Sequence, residues 1–271
     1  MTETRMQESP QHKPGSFCWV ELGTTNASAA KSFYKELFGW EYDDSPASPE
    51  MPDMIYSMIK LRGRDVGGLY SMPSDMLAQG VPPHWLSYIA VANADEAAAQ
   101  AKAAGATLIK EPFDVMDAGR MSVIQDPTGA TFAIWQTINH PGTGIDRELG
   151  ASCWNELGTN DTQKAQDFYT TVFGWGTEKM PGPFEYTIFK AGDESVGGMY
   201  KIVPEIMGPI PPNWMVYFAV ADCDATLQKA TELGGRVLAP AEDIPDIGRF
   251  AILMDPTNAA FAIIKPVTPE E

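Results

Sequence analysis

Apolar and polar residues alternate in short runs along the chain, and between them lie stretches with helical spacing. Residues 18 to 22, CWVEL, alternate and precede Gly-Thr-Thr-Asn, which predicts a strand leading into a capped helix. Apolar residues then recur at intervals of three and four, which predicts a helix from about Ala27 to Phe38 that ends at Gly39. Further strands are predicted near 55–60, 65–70 and 85–91, a helix at 95–104, and three short strands in TLIK, MSVIQ and TFAIW.

The whole pattern occurs twice. FCWVELGTTNASAAKSFYKELFGW at 17–40 aligns with SCWNELGTNDTQKAQDFYTTVFGW at 152–175, and half of the aligned positions are identical. Later segments repeat as well, including VGGLY and VGGMY, DAGR and DIGR, and DPTGATFAIW and DPTNAAFAII. A repeat this long, present only twice, indicates two copies of one domain. We predict a disordered leader at 1–14, domains at 15–136 and 151–267, a linker at 137–150 and a tail at 268–271.

Each half contains two strand-helix-three-strand units, so the sequence predicts an α+β fold. Its tandem βαβββ modules, two per domain and four per chain, would form curved mixed sheets around clefts. With the FY-x-x-x-FGW ending of the first helix and the DP-x-G-x-x-F hairpin, this order resembles the vicinal oxygen chelate (VOC) superfamily. That superfamily includes glyoxalase I, bleomycin-resistance proteins and extradiol dioxygenases. The resemblance covers about 17–136 and 152–265.

The resemblance implies where a family metal would bind. Its ligands would come from the first strand, the strand that opens the second module, and the strand after DP-x-G-x. Those positions hold Trp19, Leu86 and Ala133 in the first half and Trp154, Met215 and Ala262 in the second. None of these side chains offers a hard donor to a divalent cation, and the three histidines, His12, His84 and His140, lack ligand spacing. We therefore expect neither a metal nor another cofactor.

An aromatic cleft is expected in place of the metal site. Alternation along the first strand predicts that Phe17, Trp19 and Glu21 face the concave side. Trp154 and Glu156 repeat this arrangement, and Trp135 joins the cleft from the closing strand. Apolar walls with a few polar groups are typical of a small-molecule pocket.

Two carboxylates are the catalytic candidates. Glu21 and Glu156 lie in apolar strands, where an unpaired charge is costly. Each is interpreted as a general base, as an anchor for a cationic ligand group, or as a structural carboxylate bonded to backbone amides or to Arg120 and Arg249. The arginines are therefore also ligand-binding candidates. Trp85 and Trp214 follow Pro-Pro at strand entrances, where they would line the ligand site or pack in the core.

Charge narrows the classes of partner. The 271 residues carry a net charge of −17, which argues against nucleic acid and anionic membrane surfaces. The leader has no apolar signal segment and three cysteines form no disulfide framework, so we expect a cytoplasmic protein. The expected partner is a small molecule, cationic or aromatic. The expected assembly is a monomer with an internal pseudo-dimer, or a homodimer.

These observations favour a protein that binds a small organic molecule without the family metal. It would sequester the molecule or act as a metal-independent lyase or isomerase with Glu21 or Glu156 as base. The alternatives are a metal-dependent glyoxalase or dioxygenase with non-standard ligands, and a non-catalytic structural or interaction module. Trp135, His84 and a longer loop between Tyr42 and Ile55 favour the first half if only one cleft is used.

Overall fold

In a computed structural model, each half of the chain forms one eight-stranded sheet. The structure describes residues 12–48, 51–181 and 185–267, so most of the predicted leader and the whole tail lie outside the described residues. The first half contains β1 (Phe17–Thr24), α1 (Ala27–Phe38), β2 (Glu41–Ser48), β3 (Met51–Leu61), β4 (Arg64–Ser71), α2 (Ser74–Ala78), β5 (His84–Ala90), α3 (Ala94–Ala103), β6 (Thr107–Val115), β7 (Gly119–Gln125) and β8 (Thr131–Thr137). The second contains β9 (Ser152–Thr159), α4 (Thr162–Phe173), β10 (Gly176–Met180), β11 (Tyr186–Ala191), β12 (Glu194–Lys201), α5 (Pro204–Met207), β13 (Asn213–Ala219), α6 (Cys223–Glu232), β14 (Arg236–Ile244), β15 (Gly248–Met254) and β16 (Ala260–Pro266).

The strand order confirms the predicted α+β fold of paired βαβββ modules. The first sheet runs β2-β3-β4-β1-β5-β8-β7-β6, and the second repeats this order. The two modules of a half meet where β1 pairs antiparallel with β5, while β1–β4 and β5–β8 are parallel pairs. The expected loop between Tyr42 and Ile55 is instead mostly the β2–β3 hairpin. Asp43, Asp44 and Pro46 interrupt the apolar alternation of β2, so the pattern does not show this strand.

Local signals set the boundaries of α1 as predicted. The side chain of Asn26 accepts a hydrogen bond from the backbone N–H of Ala29, and Gly39 ends the helix with a φ of 75°. That left-handed conformation favours glycine. The buried side of the helix carries Ala30, Phe33 and Tyr34, so the apolar spacing in the sequence marks the face that enters the core. No helix among the described residues is long and apolar enough to cross a membrane.

Two large cores hold the halves together, and each core combines modules from both halves. The first joins β1, α1, β3 and β4 of the first half with β13, α6, β15 and β16 of the second. The second joins β5, α3, β7 and β8 with β9, α4, β11 and β12. The helix-bearing faces of both sheets and the inner sides of α1, α3, α4 and α6 are therefore buried between the halves, whereas α2 and α5 contain no buried residue.

A buried hydrogen-bond chain crosses each core. Tyr34 donates its hydroxyl proton to Asp255 Oδ2 at 3.1 Å and accepts a bond from Trp85 Nε1 at 3.0 Å. In the other core, Tyr169 donates to Asp126 and accepts from Trp214, at 2.9 and 2.7 Å. The tyrosine of each FY motif thus meets the aspartate of the DP motif in the other half. Trp85 and Trp214 are core residues in this structure, and each donates to the tyrosine of its own half that makes the bond to the other half.

Candidate functional site

The concave face of each sheet, turned away from the helices, carries a carboxylate surrounded by aromatic rings. In the first half, Glu21 on β1 accepts hydrogen bonds from Tyr56 at 2.7 Å and from Tyr88 at 3.1 Å. Trp19 Nε1 donates to the Tyr56 hydroxyl at 3.2 Å. Tyr70 pairs with Tyr56 across β3 and β4 and so lies on the same face. We call these five residues the first cleft.

The second half repeats this group at equivalent positions. Tyr217 donates to Glu156 Oε2 at 2.6 Å, and Trp154 Nε1 donates to the Tyr186 hydroxyl at 3.0 Å. Tyr200 pairs with Tyr186 across β11 and β12. We call these five residues the second cleft. One glutamate, one tryptophan and three tyrosines therefore recur in both halves.

A glycine gives one tyrosine of each cleft its path to the carboxylate. The Tyr56 ring lies across β4 at Gly68, and a Cβ at that position would overlap the Tyr56 hydroxyl. Gly198 leaves the same space for Tyr186. These are the second glycines of the VGGLY and VGGMY segments that recur in the two copies. Their role is to let a phenol cross one strand and reach the next.

Burial controls the protonation of these groups. It raises the pKa of Glu21 and of Glu156, and hydrogen bonds from the neighbouring tyrosines partly oppose that rise. Burial, together with the Glu21 charge, also raises the pKa of Tyr56 well above its ordinary value. In the second half, burial and the Glu156 charge raise the pKa of Tyr200 to about 12. Each cleft therefore holds neutral phenols, which can donate hydrogen bonds, around a carboxylate whose basicity is increased.

The arginines do not lie at these carboxylates. Arg120 binds Asp95 and Asp114, with contacts of 2.7 and 2.8 Å, and Arg249 binds Asp224 at 2.7 Å. The partners lie on the adjacent strand and at the start of the nearby helix. The suggested pairing of arginine with Glu21 or Glu156 is therefore not formed, and both arginines lie outside the clefts.

Phe17 lies on the opposite face from the one predicted. A register shift occurs in the β1–β5 pairing between Phe17 and Trp19. The irregularity changes the alternation, and the Phe17 ring packs 5.1 Å from Trp214 and 6.0 Å from Trp175 in a core between the halves. Trp19, Glu21 and Trp135 lie on the concave side.

The residues on the concave faces do not fit the metal site of the family. Tyr88 lies beside Ala133, and Tyr217 beside Ala262, where the resemblance implies a carboxylate ligand. Each cleft offers one carboxylate and phenols that remain protonated. Among the described residues, no group of three or more His, Cys, Asp or Glu side chains could hold a metal ion. This donor set does not match the preferences of a divalent cation.

The two clefts differ in how far they are covered. The linker places the His140 ring 4.8 Å from the Trp19 ring, and Trp135 Nε1 donates to the His140 carbonyl at 3.0 Å. Trp19 is 7% exposed and Leu86 is 6% exposed. Their equivalents Trp154 and Met215 are partly exposed, so the second cleft is the more open one. This accessibility argues against the expectation that the first half is favoured.

Three pairs of tyrosines were missed as candidates from the sequence alone. They are Tyr56 and Tyr186, Tyr70 and Tyr200, and Tyr88 and Tyr217. Each pair occupies equivalent positions in the two copies. Tyr88 also lies two residues after Leu86, on the face where a metal ligand was sought. Comparison of the copies, combined with strand alternation, could have found these residues.

The modules and their concave-face sites define a two-domain protein of the glyoxalase-like fold. The chain belongs to the Glyoxalase/Bleomycin resistance protein/Dioxygenase superfamily, whose family model matches residues 16–134 and 142–263.

The similarity to known proteins covers nearly the whole chain. A Mycobacterium tuberculosis protein named as glyoxylase CFP32 is 42% identical over 263 residues, which are 96% of this chain and 98% of that protein. The anthracycline biosynthesis protein DnrV of Streptomyces peucetius is 32% identical and covers 93% of this chain and 94% of its own. The Mn(II)-bound glyoxalase from Novosphingobium aromaticivorans has a TM-score of 0.63 at 17% identity, over 93% of this chain and 82% of that one. That likeness shows the shared fold.

Proposed function

We propose that this protein binds a small organic molecule on the concave face of its sheets through the glutamate and tyrosines, without the family metal. The observation that carries the proposal is the repeated carboxylate–tyrosine group. Glu21 and Glu156 are held among hydroxyl donors in apolar surroundings, which is the composition of a ligand site. The curated relatives are named for a glyoxylase and for anthracycline biosynthesis, and both names suit a small organic molecule.

Binding itself is the first role, so the protein would sequester its ligand in the cytoplasm. The second cleft is the favoured site because Trp154 and Met215 are partly exposed there. Native mass spectrometry of the purified full chain would test this role. We expect a small molecule to remain bound, and Glu156→Gln to reduce its occupancy more than Glu21→Gln. Retention of the same molecule by both variants at the wild-type level would contradict the proposal.

Metal-independent lyase or isomerase chemistry is the second role. A carboxylate with a raised pKa is a better base near neutral pH, and protonated tyrosines can stabilise an oxyanion that forms on the substrate. In an isomerisation, Glu156 would take a proton from a carbon next to a carbonyl and return it elsewhere on the molecule. Incubating the protein with its co-purified ligand in deuterium oxide would test this role.

The expected result is deuterium at one carbon of the ligand with wild type and none with Glu156→Gln. If wild type leaves the ligand unlabelled while still binding it, the protein binds and does not catalyse proton transfer. Loss of labelling after treatment with a chelator would instead support a metal-dependent enzyme with non-standard ligands.

A further inference from the structure

We propose that the second cleft recognises a positively charged nitrogen, a protonated amine or a quaternary ammonium group, through Glu156 and the aromatic rings around it. This inference rests on the proposed function and names the chemical class of the ligand.

The less complete hydrogen bonding of Glu156 is the first reason. Tyr217 donates to Glu156 Oε2 at 2.6 Å, and the Tyr186 hydroxyl, which accepts from Trp154, has a smaller effect on the Glu156 carboxyl. In the first cleft, the equivalent carboxylate of Glu21 has a donor on each oxygen, from Tyr56 and Tyr88. An ionised carboxylate can accept about four hydrogen bonds, so Glu156 retains capacity for a further donor. A ligand that brings positive charge to this carboxylate would complement it.

The aromatic walls are the second reason. Trp154, Tyr186 and Tyr200 are partly exposed around Glu156. The Tyr217 ring lies 6.4 Å from that of Phe250, which is also partly exposed. The negative faces of such rings attract cations, and an aromatic cage is a common way to bind quaternary ammonium groups. Rings and carboxylate in one cleft therefore favour the same class of ligand.

Within the described part of the chain, no basic side chain pairs with Glu156. Burial raises the pKa of this carboxyl and the hydroxyls of Tyr217 and Tyr186 oppose the rise, with no contribution from a basic side chain. Glu156 also forms no ion pair with Lys, Arg or His among the residues that the structure describes, whereas Arg249 is paired with Asp224 and Asp243 outside the cleft. The overall charge of −17 attracts cations to the surface as well.

The first cleft provides an internal control. It has the same glutamate and tryptophan, but both Glu21 oxygens are engaged and His140 lies against Trp19. We therefore expect cation recognition to depend on Glu156 and to be independent of Glu21.

Choline and its neutral isostere 3,3-dimethyl-1-butanol test the inference, because they differ mainly in charge. Binding of each to the full chain would be measured by isothermal titration calorimetry and by tryptophan fluorescence. We expect choline to bind about tenfold more tightly than the alcohol. Glu156→Gln should remove this preference, and Glu21→Gln should keep it. Phe250→Leu, which retains an apolar side chain, should weaken binding of choline more than binding of the alcohol. Melting temperatures would verify that each variant folds.

Equal affinity for choline and the alcohol would overturn the inference, as would absence of choline binding at millimolar concentration or an equal effect of the two glutamine variants. If a neutral molecule co-purifies in the second cleft and choline does not displace it, the ligand class is wrong and the proposed function stands. If neither probe binds and native mass spectrometry finds no co-purified small molecule, the inference and the proposed function are both wrong.

Discussion

Tyr34→Phe should destabilise the whole chain, because it removes one hydroxyl from the buried bond between the halves. That oxygen donates to Asp255 and accepts from Trp85, which are 1% and 6% exposed. Water therefore cannot replace the lost partner. A hydrogen bond to a charged group contributes about 1.5–3 kcal/mol, and an orphaned buried donor costs about 1–3 kcal/mol. We expect the free energy of unfolding to fall by about 4 kcal/mol.

Thermal unfolding followed by circular dichroism would measure this effect. At about 2 °C per kcal/mol for a chain of this size, the Tm should fall by about 8 °C. Tyr42→Phe is the control, since its hydroxyl donates only to the Lys31 carbonyl at 3.2 Å in a partly buried position, and it should cost about 1 kcal/mol. If the two variants lower the Tm equally, the bond between the halves does not have the stabilising role inferred here.

Three further outcomes are expected. The raised pKa of Glu156 means that the folded state holds this proton more tightly than the unfolded chain, so wild type should gain stability relative to Glu156→Gln as the pH falls through that pKa; a stability difference that is constant between pH 8 and pH 5 would contradict this. Gly198→Ala should displace the Tyr186 hydroxyl from Trp154, which would lower ligand affinity and cost about 1–3 kcal/mol of stability; Gly176→Ala, whose added methyl group would lie 3.9 Å from the nearest atom, is the steric control and should leave affinity unchanged. Dialysis against EDTA should leave the Tm and ligand binding unchanged, and a loss of either that zinc or manganese restores would show a metal site.

Local signals predicted the fold well, because the repeat and the strand and helix periods agree with the tertiary structure. Helix α1 ends at Gly39 as its capping residues indicate. Strand β2 was missed because its polar side chains give no apolar alternation, and only pairing with β3 makes it a strand. Tertiary context, which local patterns do not contain, decided that element.

The site was predicted less completely, for two physical reasons. Alternation gives the face of a residue only while the register is regular, and the shift after Phe17 moved that ring to the other side. Trp85 also lies next to Leu86, where the resemblance implies a metal ligand, and neighbouring strand residues face opposite sides of the sheet, so Trp85 faces the core. The tyrosines reach Glu21 from β3 and β5. These strands are far from β1 in the sequence, so the contacts depend on the order of strands in the sheet.

The crossed cores have a consequence for how the two sites can diverge. The halves meet much as two subunits of a symmetric dimer do, with each module buried against the other copy. In a homodimer one gene encodes both sites, so a change that closes one closes both. A single chain removes that constraint, because the connection at 137–150 exists only once. It brings His140 against Trp19, whereas Trp154 is partly exposed. Fusion of the copies therefore allows one site to become part of the scaffold while its twin remains accessible.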